Sequence, residues 1–224
     1  MKFFNAHCHE FTPTPDVVGA VVNATNESEW GRVLALQSDV VHVALGVHPW
    51  NIDSISDGWV ARLRQILVNN PRVMVGECGL DAMHPEMDAQ INVFVSQIRV
   101  AAGLKRPIHI HCVQAWNEIV RILNSETLPP VIVMHAFSGT PEIISQMPEN
   151  VFYSFSPAVL DVNHKRMRAS VAKCPANRIL IESDDMSASV LPNVAAGVAE
   201  IRGVNVQNMA QILLDNSQGV FING

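Results

Sequence analysis

The chain has 224 residues, of which 48% are hydrophobic and 16% are charged, and its net charge is −6. This composition excludes an intrinsically disordered chain, which needs low hydrophobicity and high net charge. Acidic residues outnumber basic ones, which argues against a broad basic face that grips nucleic acid, so contact with phosphate would need a bound cation or a small local pocket. No apolar run reaches about 18 residues and no signal peptide is recognisable, so we expect a cytoplasmic protein with no membrane association. We infer no obligate protein partner from the sequence.

Eight short apolar, β-branched runs recur along the chain and predict strands. They span residues 2–6, 17–23, 40–45, 72–76, 107–111, 131–135, 151–155 and 178–181. Amphipathic segments between or after them predict helices at residues 27–37, 58–69, 88–103, 115–124, 141–146, 163–172, 190–202 and 206–214. This alternation is typical of a parallel sheet. With no linker in the sequence, we predict a single domain over residues 1–224 that forms a compact TIM (β/α)8 barrel, with an open doubly wound sheet as the alternative.

Histidines and acids stand where several of these runs end. In His7-Cys8-His9 the strand period places both imidazoles on one face, where they could chelate a cation or form ordinary hydrogen bonds. The other candidates at strand ends are Glu77, His109, His111, His135, Glu182, Asp184 and Asp185. The ends of separate barrel strands converge on one rim, so jointly these residues predict a metal site.

Mixed nitrogen and oxygen ligands suit zinc, manganese or magnesium. So many candidate ligands could hold two ions roughly 3.5–4 Å apart, an arrangement that clamps the attacking and leaving oxygens of a phosphoester. Cys8, Cys78 and Cys112 each neighbour a candidate ligand, and the period of two points them away from it, so we expect them to pack behind the site as reduced thiols.

At this point the sequence resembles the TatD-like metal-dependent hydrolases of the amidohydrolase superfamily. The matching segments, all in the family's order, are Ala6-His7-Cys8-His9, Gly46-Val47-His48-Pro49, Gly76-Glu77-Cys78-Gly79-Leu80-Asp81, Gln90 with Phe94, Pro107-Ile108-His109-Ile110-His111, His135-Ala136-Phe137-Ser138-Gly139 and Glu182-Ser183-Asp184. The resemblance covers residues 5 to about 185.

The resemblance implies a TIM barrel that holds two divalent metal ions and hydrolyses phosphodiesters, chiefly as an exonucleolytic deoxyribonuclease. It further implies a role for each matching residue. His7, His9 and Asp184 would hold the first ion, and Glu77 would bridge the two ions. His111 and His135 would complete the coordination of the second ion. His48 would lie beside the leaving phosphate or another anionic group. The chain departs from the family at Val113, where an arginine is common, and after Asp184, where a proline is missing. These departures concern the substrate rather than the metal ligands.

Our leading hypothesis is therefore a two-metal phosphodiesterase or deoxyribonuclease that uses a metal-activated water and takes DNA or another phosphodiester as substrate. Asp184 is the candidate that orients this water and accepts its proton, and Glu77 is the second catalytic candidate. Alternatives are a metal-dependent hydrolase of a small ester, lactone, amide or phosphate, and a metal-stabilised binding protein without activity. Trp50 either stacks on a base or packs in its loop, and His84 is expected to be a surface residue.

Overall fold

The structure, a computed structural model, describes residues 1–221, so the last three residues of the predicted domain lie outside the described part. Its strands form one sheet in which each strand is hydrogen-bonded to the next one along the chain. They are β1 (Phe3–Cys8), β2 (Val17–Asn23), β3 (Val41–Leu45), β4 (Met74–Asp81), β5 (Ile108–Val113), β6 (Ile132–Met134), β7 (Val151–Phe155) and β8 (Ile179–Ile181). A parallel bridge between Cys8 and Asp184 joins the end of β1 to the residues after β8. The predicted (β/α)8 barrel is confirmed, and the alternative prediction of an open doubly wound sheet is wrong.

The helices alternate with the strands. They are α1 (Trp30–Leu34), α2 (Trp59–Asn69), α3 (Met87–Leu104), α4 (Trp116–Leu123), α5 (Pro141–Gln146), α6 (Lys165–Lys173), α7 (Leu191–Arg202) and α8 (Val206–Phe221). The predicted helix over residues 27–37 is wrong in extent, because a 3₁₀ turn at Glu27–Glu29 precedes the five-residue α1. Among the residues that the structure describes, no helix is both long and apolar enough to cross a bilayer.

The contacts between residues cluster into two compact units. The first comprises Met1–Val22, His135–Gln146 and the residues from Phe152 onward. It contains β1, most of β2 and of β7, and β8, with helices α5 to α8. Aromatic rings contribute to its core: Phe4 stacks on Phe221 at 5.1 Å between ring centroids, and Phe137 contacts Tyr153 edge to face. The ring of Phe4 thereby packs β1, the strand that carries His7, against α8.

The second unit comprises Asn23–Met134 and Met147–Val151 and contains β3 to β6 with helices α1 to α4. Its longest helix, α3, buries the apolar stripe expected from its sequence period, including Phe94 and Ile98. Two glutamines lie on the same buried side of this helix. Gln97 accepts a hydrogen bond from the Val47 amide at 2.8 Å and donates one to the Val47 carbonyl at 3.0 Å. This amide therefore holds the segment that leads into His48.

Candidate metal centre

The first unit brings His7, His9 and Asp184 together, as the sequence predicted for the first metal ion. Each offers one ligand atom, and the three atoms lie within 4.8 Å of one another. His7 is fully buried in β1 and His9 follows the strand end, with 5.2 Å between their ring centroids. The Asp184 amide donates to the His7 carbonyl at 3.1 Å, which seats the Asp184 backbone against β1. Asp184 has φ +54, a left-handed conformation that aspartate tolerates better than most residues.

A second group in this unit consists of His135, Glu182 and Asp184. Glu182 Oε1 lies 3.2 Å from His135 Nδ1 and accepts a hydrogen bond from the Ala136 amide at 2.8 Å. Within the described residues, no hydrogen bond reaches Glu182 Oε2, although the side chain is fully buried. A buried carboxylate oxygen in this condition is costly unless a cation or water satisfies it. The sequence places Glu182 among the candidates at strand ends but assigns it no specific role, and its spacing of two from Asp184 is the signal that links it to the site.

The second unit brings His48, Glu77 and His111 together. Glu77 Oε1 lies 3.3 Å from His48 Nε2 and 3.1 Å from His111 Nδ1. Glu77 is 2% exposed, and its amide donates to the Ala24 carbonyl at 2.9 Å. A carboxylate so deeply buried requires hydrogen-bond donors or a partner of opposite charge, and the imidazoles can supply the first and a bound cation the second.

The tautomer of His48 follows from its neighbours. The amide of Trp50 donates to His48 Nδ1 at 3.2 Å, so this ring nitrogen is an acceptor. In a neutral imidazole the proton then resides on Nε2, which faces Glu77 as a hydrogen-bond donor. A metal ligand would instead need a lone pair on Nε2. The geometry therefore favours His48 as a donor to an anionic group over His48 as a metal ligand.

Two glycines allow β4 and β5 to approach each other at this site. Gly76 has φ +137 and Gly79 has φ +148, values that side chains disfavour. A Cβ on Gly76 would lie 2.8 Å from the Cβ of His109, and a Cβ on Gly79 would overlap the carbonyl oxygen of His111. The strand is consequently able to continue past Glu77 to Asp81, whereas the sequence prediction ended it at residue 76.

Asp81 closes β4 and collects polar contacts from three rings. Trp50 Nε1 donates to Asp81 Oδ2 at 2.6 Å, and the same oxygen lies 3.4 Å from His84 Nδ1 and 3.6 Å from His111 Nε2. Burial acts to raise the pKa of Asp81, but hydrogen bonds from Trp50 and from the Met83 amide, with the nearby histidines, outweigh it and lower the pKa. Asp81 is therefore a carboxylate at neutral pH. The sequence alone assigns no role to Asp81.

The cysteines beside the candidate ligands are buried thiols. Burial raises the pKa of Cys8 and of Cys112 to about 12, and it raises the pKa of Cys78 well above its ordinary value. The Cys8 thiol donates to the Val21 carbonyl at 3.4 Å, and the Cys78 thiol donates to the His109 carbonyl at 3.5 Å. These groups are protonated at neutral pH, which agrees with their expected packing role.

The donor set fits divalent metal ions. It consists of imidazole nitrogens and carboxylate oxygens, the ligands that zinc and manganese accept. Since no hydrogen bond from the described residues reaches Glu182 Oε2, this oxygen is a further sign that a cation belongs in the first unit. His109, although fully buried in β5, belongs to none of the ligand groups formed by the described residues. A (β/α)8 barrel with such ligand groups at its strand ends is typical of metal-dependent hydrolases.

The chain belongs to the TatD related DNase family, whose model matches residues 12–222. His7 and His9 precede the matched stretch. The family and the hydrolase class predicted from the sequence are thus confirmed.

Individual relatives extend this result. The chain is 29% identical over 230 residues to the protein of Erwinia tasmaniensis named 3′-5′ ssDNA/RNA exonuclease TatD, covering 92% of this chain and 88% of that one. It is 29% identical over 199 residues to the Bacillus subtilis metal-dependent hydrolase YabD, covering 82% and 78%. The crystal structure of YjjV, a TatD homologue from Escherichia coli K12, matches with a TM-score of 0.90 at 25% identity and covers 99% of this chain and 98% of that one.

Proposed function

We propose that the protein is a metal-dependent exonuclease that removes nucleotides from the 3′ end of single-stranded DNA or RNA. The observation that carries the proposal is the pair of ligand groups, His7, His9 and Asp184 in one unit and Glu77 with His111 in the other. The relative named as a 3′-5′ exonuclease supplies the substrate class and the direction. None of our observations favours a lactone or amide substrate, or a binding protein without activity.

The number and identity of the ions are part of the proposal. His7, His9 and Asp184 would hold the first ion, His111 and His135 would complete the second, and Glu77 would serve both, as the family resemblance implies. The ions would be Mg²⁺, Mn²⁺ or Zn²⁺, all compatible with imidazole and carboxylate ligands. Glu182 contacts His135 through Oε1 and would hold this ring in the orientation for ligation.

When bound, divalent ions lower the pKa of a water molecule and neutralise charge on the phosphoryl oxygens. Asp184 is partly exposed, with 32% of its side chain accessible, so it can contact a water that enters from solvent. Its carboxylate would orient this water and accept its proton. With the Glu77 carboxylate occupied by the ions, the Nε2–H of His48 would be available to donate a hydrogen bond to a phosphate oxygen, which would stabilise the developing charge. These roles require no broad basic surface, consistent with the net charge of −6.

The test combines elemental analysis of the purified protein with an activity assay on a 3′-labelled and a 5′-labelled single-stranded oligonucleotide, supplied with Mg²⁺, Mn²⁺ or Zn²⁺. We expect bound divalent metal, loss of activity on chelation, and stepwise shortening from the 3′ end. Full turnover in a metal-free Glu77→Ala variant, or hydrolysis of lactones with none of nucleic acid, would overturn the proposal.

A further inference from the structure

An exposed aromatic pair lies beside the ligand group of the second unit. Trp50 is 58% exposed, an unusual position for the largest apolar side chain, and its ring stacks on His84 with 5.0 Å between centroids and 27° between planes. The Trp50 ring centroid lies 4.8 Å from that of His48 and 6.2 Å from that of His111. The aromatic surface therefore adjoins the residues assigned to phosphate binding and metal binding.

Both rings of the pair are anchored by one buried carboxylate. Asp81 is 2% exposed, and its Oδ2 accepts the Trp50 indole proton at 2.6 Å and lies 3.4 Å from His84 Nδ1. The Trp50 backbone is held as well, because its amide donates to His48 Nδ1. If Trp50 served only to pack its loop, the face of the indole would be buried. Instead, the hydrogen bond to Asp81 fixes the N–H edge of the indole, and much of the ring is exposed to solvent. A ring oriented in advance loses little conformational entropy when a ligand stacks on it.

From this geometry we propose that Trp50, backed by His84, is a stacking platform for a nucleobase at the 3′ end of the substrate. The inference rests on the proposed function and names the part of the substrate that the site recognises. A stacking platform accepts every base, because each base has a π face, so it recognises a nucleotide without reading sequence. Stacking also supplies affinity for the substrate without positive charge. This suits an acidic protein that has Val113 where related proteins commonly have an arginine.

The test uses a short single-stranded oligonucleotide and two versions of it in which an abasic sugar replaces the terminal or the penultimate 3′ nucleotide. The dissociation constant is measured by calorimetry in the presence of a divalent ion that supports no hydrolysis in the activity assay, and kcat/KM is measured with the activating ion. We expect wild-type protein to favour the intact oligonucleotide over one of the abasic versions about tenfold, in binding and in kcat/KM. In Trp50→Ala this preference falls to about one.

Trp50→Phe separates stacking from the hydrogen bond to Asp81, because phenylalanine keeps a π face and loses the indole proton. We expect Trp50→Phe to retain most of the preference for the base. Val68→Ala, at a half-exposed position on α2, is the control and keeps the wild-type preference. Equal preference for the base in wild type and Trp50→Ala, or no preference in wild type, would overturn the platform. If the protein bound the base through Trp50 but hydrolysed no oligonucleotide, the stacking proposal would be supported and the proposed exonuclease function would be wrong.

Discussion

Asn5 and Ser183, 178 residues apart in sequence, are joined by two hydrogen bonds in the interior of the first unit. Asn5 Nδ2 donates to Ser183 Oγ at 2.8 Å, and the Ser183 amide donates to Asn5 Oδ1 at 2.9 Å. Both side chains are fully buried. The pair ties β1 to the residues after β8, two positions before His7 and one before Asp184, so it sets the distance between these two candidate ligands.

Asn5→Ala removes both bonds and leaves the amide and the hydroxyl of Ser183 buried without this partner. We expect the free energy of unfolding to fall by about 3 kcal/mol, because each buried polar group that loses its partner costs about 1–3 kcal/mol. Urea denaturation of the metal-free protein measures the change. Asn208→Ala, at an exposed position of α8, is the control and should change stability by less than about 0.5 kcal/mol. Equal stability of the two variants would show that the Asn5–Ser183 pair contributes little.

Asp184→Asn keeps the shape of the side chain and removes its basicity. We expect kcat for oligonucleotide hydrolysis to fall at least about a hundredfold, the usual contribution of a general base. The neighbouring Asp185 is exposed, and Asp185→Asn should keep activity within about twofold of wild type if the effect is specific to Asp184. Circular dichroism should show both variants folded. Similar activity in both would assign the proton transfer to another group.

Glu182→Gln preserves the hydrogen bond from the Ala136 amide but removes the charge that faces His135. Because such a carboxylate orients a ligating imidazole and raises its basicity, we expect metal affinity to fall about 10- to 100-fold. Competition with a chromogenic chelator measures this directly, without an activity assay. Glu200→Gln, at a side chain 74% exposed, serves as the matched control. Unchanged metal affinity in Glu182→Gln would show that Glu182 does not contribute to the metal site.

Gly79→Ala tests the close approach of β4 and β5. The added methyl group would overlap the His111 carbonyl oxygen at a backbone angle that only glycine readily adopts, so we expect a loss of at least about 3 kcal/mol or failure to fold. Gly219→Ala in α8 has open space around the new Cβ and should gain about 1 kcal/mol from helix propensity. Thermal unfolding compares the two, and a stable Gly79→Ala variant would contradict the tight strand packing.

The Glu27 carboxyl group should make the stability of the protein depend on pH. Partial burial acts to raise its pKa, but hydrogen bonds from the Ser56 amide at 2.9 Å and from Arg62 at 2.7 Å outweigh it, so the pKa in the folded protein is lower than the ordinary 4.5. A carboxyl with a lowered folded pKa stabilises the protein fully above its unfolded pKa, and this contribution disappears as the pH falls through the folded pKa. We expect Glu27→Gln to lower stability by about 1 kcal/mol at pH 7, and we expect this difference to shrink as the pH falls from 4.5 through the lowered pKa of the folded protein. A constant difference across this range would be inconsistent with a charge effect.

Most of the barrel could be predicted from local pattern. The period of each apolar run placed β2 and β7 at their observed bounds, and the helical stripe around Phe94 and Ile98 identified α3. The end of β4 could not be predicted, because Gly76 and Gly79 normally interrupt a strand and here permit close contact with β5. The roles of Asp81 and Glu182 also escaped prediction, since an acid at a strand end has the same local pattern whether it caps a helix or orients an imidazole.

The sequence by itself determined the alternation of strands and helices, the family and the types of ligand, because hydrophobic period and residue chemistry are local properties of the chain. Only the tertiary structure decided which groups meet: that His48 accepts a hydrogen bond from the Trp50 amide, that Glu182 faces His135, and that Asp81 holds an exposed indole. These are contacts between residues on different loops and strands, and their distances depend on how the backbone packs, which no local pattern specifies.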